Sequence, residues 1–128
     1  MVNIKPVAKV NPRDLAADNK YYAQVVTTEK TDLKRLAYLV SNQSTVRQGD
    51  CYAVITSLLH NIIDELKSGH IVKLDELGSF QLTVSSEGVE TLEEVNQFLV
   101  KDVRLRFRPD KEIKKSLNIK TVDFKLVS

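Results

Sequence analysis

A chain of 128 residues, 42% hydrophobic and 28% charged, has the composition of one globular domain with at most an appendage. With a formal net charge of +2 the chain as a whole is not a polybasic tail, and a single cysteine excludes a disulfide framework or a cysteine-built zinc site within the chain. No apolar run approaches membrane-spanning length and the N-terminus has no signal-peptide hydrophobic segment, so a reducing cytoplasm and no membrane partner are expected. Cys51 then reads as a reduced packing residue.

From Val2 to Val10 the residues alternate in β fashion, with Val2, Ile4, Pro6, Ala8 and Val10 on one face. Pro6 has no amide donor and predicts an edge strand. Asn11-Pro12-Arg13-Asp14 marks a turn, and Tyr21 to Thr27, rich in Tyr, Val and Thr, reads as a second strand. Residues 1–30 are thus expected to form a β extension. Thr31 is placed to cap a helix in which Leu33, Leu36, Ala37 and Val40 make one apolar stripe. After the polar break Ser41–Ser44, Thr45 and Gln48 have capping-box spacing and predict the start of a long helix.

That helix, Val46 to Ser68, would run roughly 35 Å. Cys51, Val54, Ile55, Leu58, Leu59, Ile62, Ile63 and Leu66 give it a wide, continuous apolar stripe. One short helix and a small sheet cannot cover it, and each Leu or Ile left in water forfeits roughly 1.5–3 kcal/mol. A second copy of the chain is the economical cover, so an intertwined homodimer is expected. Its interface would hold Val54, Leu58 and Ile62, with Phe80 and Phe107 from the strands that follow. The alternative is that the N-terminal β extension folds back over the stripe.

Gly69 is placed to end the helix in the left-handed conformation that only glycine enters freely. Ile71–Leu74 reads as a short strand, Asp75-Glu76-Leu77-Gly78 as a turn, and Ser79–Val84 as the returning strand. This stretch resembles the signature of the HU/integration-host-factor family of bacterial DNA-architectural proteins. Gly69, Val72, Leu74, Gly78, Ser79 and Phe80 fall on the family's positions with no gap; Glu76 stands where the family usually has glycine. The C-terminal motif, phenylalanine-lysine-proline before a basic helix, is similar to Phe107-Arg108-Pro109-Asp110-Lys111, and Lys114 also falls on a basic family position. The resemblance spans Thr31 to Leu117 and is closest to HU-like proteins with an N-terminal β extension and no arm. It implies dimerisation and double-stranded DNA as partner.

Between those two motifs the family has a long, basic, proline-tipped β-arm that enters the minor groove. Here Ser85–Gly88 is a turn, and Thr91 and Glu94 have capping-box spacing. Leu92, Val95 and Leu99 then predict a short amphipathic helix over Thr91–Leu99. Glu87, Glu90, Glu93, Glu94 and Asp102 surround it against Lys101 alone. Phosphates repel such a surface, and no proline is present to wedge between base steps, so arm-type intercalation is not expected. Val103–Phe107 then reads as a strand ended by Pro109, Asp110–Leu117 as a short helix, and Val122, Phe124 and Leu126 as a last strand able to pair with the N-terminal extension.

From Lys101 to Lys125 there are nine Lys or Arg against four Asp or Glu, a local excess of +5. Arg104 and Arg106 share a strand face, and Arg108, Lys111, Lys114 and Lys115 follow on the proline turn and helix. Cations so spaced can bind phosphates along a duplex without reading bases; the plainer reading is a solvated surface. His60 and His70 lack neighbours at metal-ligand spacing, and Asp64-Glu65 and Glu93-Glu94 are adjacent and point apart. No histidine is placed to activate Ser79, the glycines form no phosphate loop, and Tyr21, Tyr22, Tyr38 and Tyr52 do not interleave with the basic cluster.

The expected fold is α+β, an HU-like helical hairpin on a small antiparallel sheet. The expected organisation is an extension over residues 1–30, an HU-like DNA-binding and dimerisation domain over 31–118, and a C-terminal strand extension over 119–128. The expected function is non-enzymatic, sequence-tolerant DNA binding in the nucleoid, with no cofactor or metal. Two alternatives stand beside it: a dimeric scaffold that binds a protein through the acidic insert, and, with no candidate residues, an enzyme.

Overall fold

The computed structural model describes residues 1–127. In chain order the elements are β1 (Val2–Lys9), β2 (Lys20–Val26), α1 (Leu33–Asn42), α2 (Gln48–Lys67), β3 (Val72–Leu74), β4 (Gly78–Ser86), β5 (Val100–Pro109), α3 (Lys111–Ser116) and β6 (Phe124–Leu126). They fall into two compact units. One joins Met1–Lys30 to the chain from Ser116 onward; the other is Thr31–Lys115.

The terminal unit is a three-stranded sheet in the order β2-β1-β6. β1 runs antiparallel to β2, from Asn3 opposite Val26 to Lys9 opposite Lys20. It runs parallel to β6, with Val2, Asn3 and Ile4 opposite Phe124, Lys125 and Leu126. The last strand therefore does pair with the N-terminal extension. The central place of β1 corrects the expectation that Pro6 marks an edge strand. Val2 donates its amide to the Asp123 carbonyl at 2.8 Å, and the Ile4 carbonyl accepts from the Val127 amide at 2.8 Å. Residues of that parity turn their backbone toward β6. Pro6 shares the parity but lies two residues beyond Ile4, the last β1 residue in register with β6, so its missing donor removes no bond of the described β1–β6 ladder.

The larger unit begins with α1, capped by Asp32 rather than Thr31: the Asp32 carboxylate accepts from the Arg35 amide at 2.9 Å. α2 starts at Gln48, later than the Thr45 capping box predicts. Its N-cap is Arg47, which makes no side-chain cap, and Ser44 Oγ instead accepts from the Val46 amide at 3.2 Å. That local bond holds Ser44–Val46 in a bend and delays the helix. At the other end the Gly69 amide donates to Leu66 at 3.0 Å and the His70 amide to Glu65 at 3.1 Å, with Gly69 at φ 82°. These two bonds are the Schellman arrangement that turns the chain out of a helix and into β3.

β3, β4 and β5 form an antiparallel sheet in that order. α2 packs against α1 on one side and against β3 and β4 on the other. Among the described residues only Ala37, Cys51 and Leu66 are buried apolar side chains, and all three lie in this helical layer. The α2 stripe stays open along most of its length: Val54 is 66% exposed and Leu58 47%, while Ile62 is half-buried.

The segment after β4 differs from expectation. It holds two single 3₁₀ turns, Leu92–Glu94 and Gln97–Leu99, in place of one amphipathic helix. Thr91 Oγ1 spends its proton on the Glu94 carboxylate at 2.9 Å, and Val95 is extended. The Asn96 side chain then accepts from the Phe98 amide at 2.9 Å and starts a new turn. β5 also begins three residues early, at Val100, because β4 continues to Ser86 and offers it a partner across a bulge at Ser85/Ser86.

Glu76, in the β3–β4 loop, has φ 72°. A side chain there costs roughly 1–2 kcal/mol, part of which glycine would return through its freer unfolded chain. Glu76→Gly is expected to raise unfolding stability by roughly 0.5–1 kcal/mol, read from urea denaturation midpoints; an unchanged or lowered midpoint would contradict the strain.

Candidate nucleic-acid interface

The cations are positioned by the pairing of β4 with β5. Ser79 stands opposite Arg108, Gln81 opposite Arg106 and Thr83 opposite Arg104. The alternate pairs are Phe80 with Phe107, Leu82 with Leu105, and Val84 with Val103. Because side chains alternate across a strand, every polar pair projects from one face and every apolar pair from the other. The ribbon is therefore cationic on one side and oily on its back.

The apolar side is anchored by a stacked contact between Phe80 and Phe107, ring centroids 4.8 Å apart and 25° from parallel. Gly78 makes this possible. A Cβ at Gly78 would press on the Arg108 carbonyl and lie 2.5 Å from a ring carbon of Phe107. Even so, Phe107 is 43% exposed and Phe80 half-buried, so this face, like the stripe of α2, stays largely open.

At the base of β5 the Asp110 amide donates to the Leu77 carbonyl at 3.0 Å, tying the start of α3 to the β3–β4 loop. This places Lys111, Lys114 and Lys115 on a short exposed helix directly after Arg108 and Pro109. The six predicted cations thus follow one another along β5 and α3, with Asp110 and Glu112 between them at the start of the helix. Their pairing differs. Lys115 lies 3.6 Å from Glu112, and Arg104 lies 3.9 Å from Asp102. Among the described residues, Arg106, Arg108, Lys111 and Lys114 have no carboxylate within ion-pair distance.

The polar side of β4 was not among the predicted site residues, although the alternation Ser79, Gln81, Thr83 against Phe80, Leu82, Val84 is legible in the sequence. At the Ser79–Arg108 and Gln81–Arg106 pairs lies a depression of about 140 Å³ lined by Ile71, Ser79, Gln81, Arg106 and Arg108. At the far end of the ribbon, Asp102 shares the face of the arginines, and Lys101 lies 3.6 Å from Glu87. No group of three or more metal-ligating side chains occurs among the described residues, and no helix there is long and apolar enough to cross a membrane.

A family model for an HU domain fused to a winged helix-turn-helix, immunoglobulin-like or glycine-rich motif matches residues 2–124. The chain belongs to this HU-HIG family. Two solved structures share its fold. One is a bacterial protein from Bacteroides vulgatus, provisionally described as DNA-binding, with a TM-score of 0.67 and 14% identity over 98% of this chain. The HU-HIG chain spans 48% of that protein's length. The other is Anabaena HU in a cocrystal with DNA, with a TM-score of 0.53 and 20% identity over 67% of this chain and 96% of that one. A comparison with curated protein sequences finds no match. The HU-like fold expected from the glycine-phenylalanine and phenylalanine-arginine-proline motifs is therefore the fold of this protein, and a family model extending from residue 2 takes in the β extension as well.

Gly78→Ala is expected to destabilise the larger unit by about 1–3 kcal/mol, since the added methyl meets backbone on one side and a stacked ring on the other. Thermal unfolding read at the aromatic bands would register it, and a melting temperature equal to the parent's would contradict the close packing.

Proposed function

We propose that this HU-HIG chain is a non-enzymatic, dimeric DNA-binding protein that holds duplex DNA through its phosphates and reads little sequence. The observation that carries the reading is the two-sided β4–β5 ribbon. Its apolar side and the open stripe of α2 call for a second copy, while Arg104, Arg106 and Arg108 leave by the opposite side and continue into Lys111, Lys114 and Lys115. Val54, Leu58, Ile62, Phe80 and Phe107 are the residues a partner subunit would cover. Guanidinium and ammonium groups along an exposed ribbon suit backbone oxygens, and the site offers no constellation for base readout. Anabaena HU, crystallised with DNA, shares the fold and supports the assignment. The nucleoid is the corresponding location.

The insert favours a mechanism without arms. Its turns carry Glu90, Glu93 and Glu94, which would be repelled from phosphates, together with Leu92 at 84% and Phe98 at 87% exposure. Exposed apolar side chains ringed by carboxylates also suit a cationic, amphipathic protein partner, the second reading of this molecule.

Sedimentation equilibrium is expected to give a dimer at micromolar concentration. Leu58→Glu, which would place a charge in the middle of the stripe, is expected to give monomer or unfolded chain; a well-folded monomeric parent would refute the dimer. If Arg108, Lys111 and Lys114 of both subunits make six phosphate contacts, log Kd against log salt should have a slope of roughly 5 in magnitude. Mobility shifts at low salt on a mixed-sequence duplex test this, and binding that survives Arg108→Glu with Lys111→Glu would refute the assigned face.

A further inference from the structure

Within the DNA-binding reading, on which this inference rests, β4 has so far served only as the strand that aligns β5. Its polar side chains have a place of their own. Ser79 and Gln81 stand directly opposite Arg108 and Arg106 and line the same depression of about 140 Å³ with them. No carboxylate lines it, and neither guanidinium has an acid within ion-pair distance among the described residues. Two guanidinium forks, one hydroxyl and one amide therefore border a concave spot that no protein anion fills. The side chains are drawn from two paired strands, so their spacing is set by the sheet.

We propose that Ser79, Gln81, Arg106 and Arg108 form a seat for a single phosphodiester group, and that Asp102 ends the phosphate track that runs through it. A tetrahedral oxyanion carries several acceptor lone pairs in different directions. Two guanidiniums supply charge and bidentate donors, and the Ser79 hydroxyl and Gln81 amide supply neutral donors that fix its orientation. Successive residues on one face of a strand are about 6.8 Å apart, so the rungs at Arg108, Arg106 and Arg104 form a regular series. The next residue on that face is Asp102, which lies 3.9 Å from Arg104 and opposite Ser85. A carboxylate there both draws on Arg104 and repels the next phosphate. The grip is strongest near the base of the ribbon and weakens toward the insert, so each subunit holds a short run of backbone.

The test uses the full chain and three variants with exposed or half-exposed substitutions, each checked by thermal unfolding. Inorganic phosphate is titrated while the Gln81 side-chain amide and Ser79 backbone amide are followed by NMR, and a mixed-sequence duplex is titrated at several salt concentrations. Both amides are expected to shift with phosphate and, at lower concentration, with duplex. Ser79→Ala combined with Gln81→Ala is expected to weaken duplex binding at least about tenfold, since two hydrogen bonds to a charged group are lost, with the salt slope unchanged because no cation is removed. Arg106→Gln is expected to reduce the slope by about 1.8, since each subunit of the dimer loses one cation. Asp102→Asn is expected to tighten duplex binding about threefold by freeing Arg104, a gain that no loss of folding can mimic. A parent chain that binds duplex while the Ser79/Gln81 double variant binds equally well overturns the seat and leaves the DNA reading intact. A parent that fails to bind duplex overturns the DNA reading; phosphate-induced shifts at Gln81 and Ser79 then uphold a seat for a free oxyanion, and their absence overturns it.

Discussion

The residue-for-residue pairing of β4 with β5 is the constraint from which the rest of the larger unit follows. A strand gives each side chain a choice of two directions, and pairing makes neighbouring strands choose together. Phe80 and Phe107 must therefore meet on one side if Ser79 and Arg108 are to meet on the other. A slip of one residue would bring the arginines among the phenylalanines and leave charges against the helical layer. Gly78 guards against that slip at the base of the ribbon, where only a residue without a side chain fits between the Arg108 carbonyl and the Phe107 ring. Stability and surface charge are thus two outcomes of one register.

Much of this is legible from residue pattern alone. The strand alternation from Val103 to Phe107, the stripe of α2 and the glycine exit at Gly69 each rest on a strong local period or a unique conformational need. The departures have local causes as well. Thr31 precedes a helical stripe and Thr45 and Thr91 have capping-box spacing, yet none caps a helix with its side chain: Asp32 is nearer the first turn, Ser44 bends the chain ahead of Arg47, and the hydroxyl of Thr91 bonds the Glu94 carboxylate. Hydroxyl and carboxylate side chains have several local backbone partners within reach, so a capping box names a region rather than a residue. Pro6 misleads for a different reason. Whether an absent amide donor matters depends on how far the neighbouring strand extends, and the described β1–β6 register ends at Ile4.

The site shows the same division. The cations of β5 and α3 stand out because charge accumulates in that part of the sequence. Ser79, Gln81 and Thr83 do not, since neutral polar residues on a strand ordinarily signal a wet face. They gain meaning only once register sets them opposite the arginines, a relation between segments some twenty-five residues apart that composition does not encode. Asp102 is similar: in sequence it belongs to the acidic insert, and in the sheet it is the next rung of a cationic face. At this end of the ribbon the strands give way to the turns of Leu92–Glu94 and Gln97–Leu99.

The parallel pairing of β6 with β1 has a consequence for how the molecule is made. β1 is synthesised well before the strand that pairs with it, with the whole HU-like unit in between. Until Phe124–Leu126 emerge, β1 holds only its hairpin partner β2 and presents an open row of backbone groups, a surface prone to unwanted pairing with other nascent chains. Such long-range closure is intrinsically slow. The proline at position 6 shortens that exposed row during the wait, because a strand added from another chain would find no donor there.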